Sequence, residues 1–104
     1  MRIFVMSQPR FPVPPEQLPA LTQGFVAWRE KYRSVTESFE FFAGNNGGFG
    51  VLNVPDEATL NQIMIEYPFG PFSELDIRPV IDGDKGLAQF QAALQAMASG
   101  AASS

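Results

Sequence analysis

The 104-residue sequence contains no histidine and no cysteine. Without cysteine the chain can form neither a disulfide framework nor a thiolate zinc site. Without histidine it lacks the commonest general base near neutral pH and the imidazole ligand of metals and haem. Any proton transfer must therefore use aspartate, glutamate, tyrosine or lysine, and we expect no metal site built from thiolate or imidazole ligands.

Basic residues are also scarce. Seven lysines and arginines stand against eleven acidic residues, which gives a formal charge of −4. This balance lacks the positive footprint of a nucleic-acid-binding protein. No apolar run is long enough to span a bilayer, and the N-terminus has no basic region followed by an apolar segment. We expect a cytoplasmic protein without a nucleic-acid or membrane partner.

Apolar surface is plentiful. Hydrophobic residues make up 45% of the chain, and ten residues are phenylalanine. This composition predicts a folded core or a cavity with much aromatic surface. The length suits one domain, which we place at residues 1–98, and the small, polar residues 99–104 are expected to form a flexible tail.

The order of periodic segments predicts a ferredoxin-like α+β fold. Alternation and β-branched residues predict strands, and apolar residues at steps of three and four predict helices. Pro55 and Asp56 mark the end of a strand and the start of a helix. The predicted elements are strands at residues 2–8, 35–43, 49–54 and 75–81, and helices striped by Leu18 to Tyr32, Leu60 to Tyr67 and Leu87 to Met97. The first six give the split β-α-β arrangement, and the last adds a C-terminal helix.

Two helices cover only one face of such a sheet. Leu75 and Ile77 fit the covered face, which leaves Phe4, Met6 and Val80 on the other. An apolar sheet face left in water favours association, so we expect a homodimer or a larger homo-oligomer.

Two stretches carry a family resemblance. Residues 43–56 (AGNNGGFGVLNVPD) join a glycine-rich hairpin to a strand and a helix start, and residues 67–72 (YPFGPF) form an aromatic, proline-stiffened loop before Asp76 and Ile77. In these stretches the chain resembles the muconolactone isomerase-like proteins of the dimeric α+β barrel superfamily. The resemblance covers roughly residues 1–81.

The resemblance implies two ferredoxin-like subunits that pair sheet to sheet, with a small-molecule cavity between sheet and helices. Characterised members move a double bond in an unsaturated lactone by proton transfer, without metal or organic cofactor. Along the first two strands the family carries basic and imidazole residues, whereas this chain has Phe4, Met6 and Glu40. The implied pocket is accordingly more apolar and more acidic.

Four carboxylates are acid–base candidates, and Glu40 stands out because it lies between Phe39 and Phe41; the others are Glu37, Glu74 and Asp76. A carboxylate in an aromatic pocket has its pKa raised toward neutrality, where proton transfer is efficient. The alternative is a solvated charge, or an ion pair across the sheet.

Asp76 and Arg78 are two residues apart on one strand and share a face. Arg78 could bind an anionic substrate group while Asp76 orients it or moves a proton. The alternative for this pair is a salt bridge between subunits.

Tyr67 could donate a hydrogen bond to a developing enolate oxygen, or simply pack in the core with a solvated hydroxyl. Trp28 is expected in the core or the pocket wall. Phe69 and Phe72 are candidates for a lid, for a plug at the barrel end or for a subunit contact. The predicted substrate pocket consists of Trp28, Phe69 and Phe72 together with Phe4 and Met6.

Two further features carry no predicted site. Residues 44–48 lack the lysine and hydroxyl residue of a phosphate-binding loop, so we interpret them as a hairpin. Arg29 and Lys31 are interpreted as part of a solvated helix face.

The residues and the resemblance to the muconolactone isomerase-like proteins together imply a cofactor-independent isomerase or cyclase that acts by proton transfer on a small carbonyl- or lactone-containing molecule. A non-catalytic ligand-binding or assembly protein on the same fold is the first alternative. A cofactor-free monooxygenase is the second.

Overall fold

The structure is a computed structural model that describes the backbone of residues 1–103 and the side chains of residues 1–100. Within these residues the chain forms four strands and three α-helices in the predicted order. They are β1 (Arg2–Pro9), α1 (Leu18–Lys31), β2 (Thr36–Phe41), β3 (Gly48–Asn53), α2 (Glu57–Ile65), β4 (Ser73–Val80) and α3 (Gly83–Ser103). Short 3₁₀ turns occupy Pro15–Gln17, Arg33–Val35 and Gly70–Phe72.

The strands form one antiparallel sheet in the order β2-β3-β1-β4. This order is that of the ferredoxin-like split β-α-β arrangement, so the predicted fold class is confirmed. Strand β1 lies in the middle, and β2 is an edge strand. The central position of β1 brings its side chains close to those of β3 and β4.

Helix α2 begins where the sequence predicts. The Asp56 carboxylate accepts hydrogen bonds from the Thr59 backbone N–H at 2.8 Å and from the Thr59 hydroxyl at 2.7 Å. These bonds satisfy one of the free amides of the first turn and lower the pKa of Asp56. The cap fixes the start of α2 shortly after the end of β3.

The covered face of the sheet, toward α1 and α2, carries the hydrophobic core. Its buried side chains are Ile3, Leu52, Val54 and Ile63. Register places Ile77 beside Val5 and Leu75 beside Ser7 on this face. The predicted orientation of Leu75 and Ile77 is therefore confirmed.

The open face is the opposite side of the sheet, with Phe4, Met6, Phe49, Val51, Asp76 and Arg78. Phe4 pairs with Val51 and Met6 with Phe49, and the Phe4 and Phe49 ring centroids are 5.9 Å apart. Val80 pairs with Arg2 on this face and is 38% exposed. The prediction that Phe4, Met6 and Val80 share the second face is confirmed.

Helix α3 extends away from the sheet. The described chain measures 67 × 26 × 23 Å, and its radius of gyration is 18.7 Å, against about 13 Å for a compact chain of this size. The apolar stripe of α3 lies in solvent at Leu87, Phe90, Leu94 and Met97. No described helix is both long enough and apolar enough to cross a membrane.

The predicted boundary at residue 98 falls within α3, whose backbone is helical to Ser103. Ser104 and the side chains of residues 101–103 lie outside the described residues. The division into a domain of residues 1–98 and a tail of residues 99–104 stays a prediction.

Candidate functional site

Two adjoining chambers lie on the covered face. The inner chamber has a volume of about 80 Å³ and lies between the sheet and helices α1 and α2, with walls that include Val5, Trp28, Phe39, Leu52 and Met64. The outer chamber has a volume of about 540 Å³, with walls that include Phe11, Val13, Leu18, Phe69 and Phe72. Both chambers share Phe25, Phe41, Asn46 and Tyr67. These shared residues mark the junction between them.

Two glycines of β3 leave room for the inner chamber. Gly48 pairs with Phe41 and Gly50 with Phe39. A Cβ on Gly48 would lie 2.5 Å from the Glu40 carbonyl oxygen, and one on Gly50 would lie 2.7 Å from that of Ser38. Only glycine fits such a close approach to the backbone of β2, so these positions supply no side chain to fill the space.

Aromatic rings form much of the chamber wall, and Phe25 is at their centre. Its ring centroid lies between 5.7 and 6.3 Å from five other rings, those of Trp28, Phe39, Phe41, Tyr67 and Phe69. Such separations suit tilted and edge-to-face packing. This cluster gives the chambers rigid, apolar surfaces suited to a planar ligand.

A pair of hydroxyls lies at the junction. The Ser7 and Tyr67 hydroxyl oxygens are hydrogen-bonded at 2.8 Å. This bond uses one of their two protons, so one hydroxyl proton is left to donate to a ligand. By contrast, the Thr36 hydroxyl donates to the Tyr32 carbonyl at 2.8 Å. The Ser7–Tyr67 pair is therefore a polar group that a ligand oxygen can engage.

Trp28 belongs to both the core and the chamber. Its ring packs against the core cluster and forms part of the inner wall, 5.0 Å from the Tyr67 ring centroid. Its indole N–H donates to the Ile63 carbonyl at 2.8 Å. This bond fixes the ring, so the inner wall is preformed.

Glu40 is the acidic residue among the wall residues of the two chambers. It pairs with Phe49 on β3, and alternation points its carboxylate to the opposite side of β2 from Phe39 and Phe41. Within residues 1–100 it forms no salt bridge, and it is exposed at the edge of the sheet. Glu40 thus borders the inner chamber while its carboxylate remains accessible to water.

Asp76 and Arg78 lie on the open face, away from both chambers. The Arg78 Nε donates to the Asp76 carboxylate at 2.8 Å, and this hydrogen bond raises the pKa of Arg78. The pair forms within one strand of one chain. Phe4 and Met6, which were predicted in the substrate pocket, share this face and form no part of either chamber wall.

The predicted acids do not converge on one point. Among the residues that the structure describes, no three acidic, histidine or cysteine side chains lie close enough to hold a metal ion. Glu37 pairs with Arg2 at 3.0 Å, on the open face. Tyr67 thus lies in the walls of both chambers, and Glu40 borders the inner chamber with its carboxylate on the opposite side of β2. Asp76 and Arg78 lie elsewhere, on the open face.

The aromatic loop and the proline-rich segment form the wall of the outer chamber. The backbone N–H groups of Arg10 and Phe11 donate to the Phe72 carbonyl at 2.9 and 3.0 Å. The Ser73 hydroxyl donates to the Phe69 carbonyl at 2.8 Å. Phe69 and Phe72 therefore lie in the chamber wall on a hydrogen-bonded loop, and Phe11 is 56% exposed at the entrance.

The expectation that Arg29 lies on a solvated face is wrong. Its guanidinium Cζ lies 4.8 Å from the Phe39 ring centroid, and one terminal nitrogen is buried without a hydrogen-bond partner. The signal available in the sequence is its spacing, because Arg29 follows Phe25 by four residues and so shares a helix face with it. Lys31, by contrast, is exposed and bonds Glu66 at 2.6 Å.

Comparison with known proteins gives the fold. No protein-family model and no curated protein matches the sequence. A crystal structure of muconolactone isomerase superposes with a TM-score of 0.70 at 16% identity, over 79% of this chain and 90% of that one. A 5-chloro-2-hydroxyhydroquinone dehydrochlorinase from Burkholderia phenoliruptrix AC1100, in complex with 2,5-dihydroxybenzoquinone, gives 0.56 at 12% identity, over 80% and 97%.

At these identities the likeness concerns the fold alone. The four-stranded antiparallel sheet with its helices matches the ferredoxin-like fold of muconolactone isomerase. The resemblance first seen in residues 43–56 and 67–72 is thus confirmed in the backbone, and this chain has the muconolactone isomerase fold.

Proposed function

We propose that this protein is a cofactor-independent isomerase or cyclase that acts by proton transfer on a small carbonyl- or lactone-containing molecule. The observation that carries the proposal is the hydroxyl pair of Ser7 and Tyr67 at the junction of two apolar chambers. An apolar, aromatic cavity with one available O–H donor suits a neutral carbonyl compound that becomes an enolate during reaction.

In the proposed reaction the substrate carbonyl oxygen accepts a hydrogen bond from Tyr67, which is supported in turn by Ser7. Glu40 removes a proton from the carbon next to the carbonyl and returns it to a different carbon, so a double bond moves and no atom is lost. The apolar walls strengthen the contact with the developing oxyanion, because little water competes for it. Glu40 is assigned as the base because it is the acid that borders the chambers, although its carboxylate starts on the opposite side of β2 and must turn around this edge strand to reach the ligand.

Turnover of a panel of unsaturated lactones and quinones tests this assignment. Glu40→Gln should lower the rate by roughly a hundredfold or more, since a general base typically contributes that much. Asp76→Asn is the matched control, because Asp76 lies on the open face, and it should leave the rate unchanged. Equal rates in wild type and Glu40→Gln would rule out Glu40 as the base.

A non-catalytic ligand-binding protein is the second candidate. The exposed carboxylate of Glu40 favours it, because alternation along β2 directs that group away from Phe39 and Phe41. A compound that binds the wild-type protein and the Glu40→Gln variant equally, without turnover in either, would establish a binder. Substrate-dependent oxygen uptake would instead identify a monooxygenase.

We propose a homodimer as the working form, with a second copy on the open face. That face presents half-buried Phe4, Met6, Phe49 and Val51, an apolar patch of the kind that monomers rarely expose. A two-fold pairing of identical patches buries both at once. The exposed stripe of α3 offers further apolar surface to the same assembly.

A further inference from the structure

The two chambers differ greatly in size. The outer chamber has a volume of about 540 Å³, within the range of roughly 300–1,000 Å³ that is usual for small-molecule sites. The inner chamber measures about 80 Å³, whereas an apolar cavity that admits benzene measures about 150 Å³. The inner chamber is therefore too small to enclose an aromatic ring, and most of a larger ligand must lie in the outer chamber.

The outer chamber is apolar and uncharged. Its described wall residues include no acidic or basic side chain. Two of its polar groups already have partners, because the Ser73 hydroxyl donates to the Phe69 carbonyl and the Tyr67 hydroxyl is bonded to that of Ser7. Such a wall favours burial of apolar surface and offers no counter-ion to an ionised group. The part of a ligand that lies here is accordingly neutral and apolar.

The proline-rich segment stiffens the wall of the outer chamber. Pro9 and Pro12 belong to this wall, and the pyrrolidine ring fixes φ at each position. Between them, the backbone N–H of Phe11 donates to the Phe72 carbonyl at 3.0 Å, which ties the segment to the aromatic loop. A wall with little conformational freedom loses little entropy when a ligand binds. The outer chamber is thus a preformed site.

The hydroxyl pair of Ser7 and Tyr67 fixes the position of a ligand carbonyl. Tyr67 belongs to both chamber walls, so a carbonyl oxygen bonded to it has one chamber on each side. Glu40 borders the inner chamber alone. The carbon atoms that lose and regain a proton therefore fit the inner chamber, and the rest of the molecule extends into the outer one.

We propose that the outer chamber binds an extended apolar substituent and that the substrate is a neutral carbonyl compound larger than a single ring. This inference rests on the proposed function, because it names the substrate class of the same site. A single ring would leave most of the outer chamber filled with water. A longer apolar group displaces that water from the aromatic and proline side chains, and this displacement favours binding.

A series of methyl ketones tests the proposal. Methyl ethyl, methyl pentyl and methyl heptyl ketone share one carbonyl group and differ in chain length, and their binding to the wild-type protein is measured by isothermal titration calorimetry. We expect the affinity to rise about twofold to fourfold for each added methylene group, as burial of that group implies.

A substitution that fills the outer chamber should remove this dependence. In Val13→Trp the affinity should no longer rise with chain length, while methyl ethyl ketone binds as it does to the wild-type protein. Val26→Trp is the matched control, because Val26 is 58% exposed on α1 and is not among the wall residues described for either chamber. It should behave as wild type. A thermal melt checks that each variant is folded, and Leu18→Trp fills the same chamber from α1 if Val13→Trp is unfolded.

The outcomes separate this inference from the proposed function. Equal affinities of the wild-type protein for the three ketones would overturn the role of the outer chamber and leave the carbonyl site intact. A chain-length dependence that survives in the filled variants would also overturn it. If no ketone binds the wild-type protein, the carbonyl site itself is refuted, together with the function built on it.

Discussion

The two faces of the sheet are built from alternate residues of the same strands, yet they do different things. Along β1 the covered face receives Ile3, Val5 and Ser7, while the open face receives Phe4 and Met6. The covered face combines large rings from the helices with glycines on β3 and so encloses chambers. The open face carries bulky apolar side chains beside an ion pair. Period-two alternation thus separates a face suited to a ligand from a face suited to a partner.

We expect the largest effect from a substitution that disrupts dimer formation through the open face. Met6→Glu puts a charge in the middle of the proposed interface, where burial without a partner is costly. We expect the dimer to dissociate at least about a hundredfold more readily, as measured by sedimentation or native mass spectrometry. Ala27→Glu adds the same charge to the exposed side of α1 and should leave the assembly intact. A wild-type protein that is monomeric at micromolar concentration would contradict the proposed dimer.

We expect the second-largest effect from removal of the Tyr67 hydroxyl on the covered face. Tyr67→Phe removes the hydroxyl that is bonded to Ser7, and loss of an oxyanion donor typically lowers turnover by roughly a hundredfold. Tyr32→Phe is the matched control, because the Tyr32 hydroxyl donates to Glu66, outside both chambers. Unchanged steady-state turnover in Tyr67→Phe would exclude the hydroxyl pair from the mechanism.

We expect a smaller effect from a substitution at Gly50, where β3 lies close to the backbone of β2. Gly50→Ala places a methyl group 2.7 Å from the Ser38 carbonyl oxygen, so β2 and β3 must separate. We expect the free energy of unfolding to fall by about 1–3 kcal/mol in urea titrations. Gly83→Ala, where nothing lies within 4 Å, should change it little. Equal stability of the two variants would show that β3 tolerates a side chain facing β2.

The smallest effect is that of the α2 cap. Hydrogen bonds from Thr59 lower the pKa of Asp56 in the folded state, so this carboxylate stabilises the fold above its unfolded pKa of about 3.9. The contribution is lost as pH falls through the lower folded value. Asp56→Ala should lower the melting temperature by a few degrees at pH 7, and the difference should shrink below about pH 4. Asp56→Ser should retain most of the cap; a pH-independent difference for Asp56→Ala would contradict the electrostatic account.

Much of the fold could be predicted because it depends on local signals. Alternation in β1, the glycine-rich hairpin before β3 and the Pro55–Asp56 helix start each restrict the chain within a few residues. The open and covered faces then follow from strand periodicity. The aromatic loop was likewise recognised from its own residues and lies in the wall of the outer chamber.

The site was harder to predict because it depends on contacts between distant elements. The bond between Ser7 and Tyr67 joins residues 60 positions apart, and no local pattern marks Ser7. Arg29 was interpreted as solvated because its immediate neighbours Glu30 and Lys31 are charged, whereas its environment is decided by Phe39 on β2. Asp76 and Arg78 were correctly placed on one face, but their mutual bond depends on rotamers that the sequence does not specify.

The length and direction of α3 affect how the molecule moves through solvent. A lone copy with dimensions of 67 × 26 × 23 Å is a rod with a projecting arm and should diffuse more slowly than a sphere of its mass. If α3 lies along a second copy, the dimer is more compact for its mass than the single chain, and its frictional ratio is lower. The frictional ratio of the purified protein therefore reports, without any ligand or substitution, whether α3 packs against another copy of the chain.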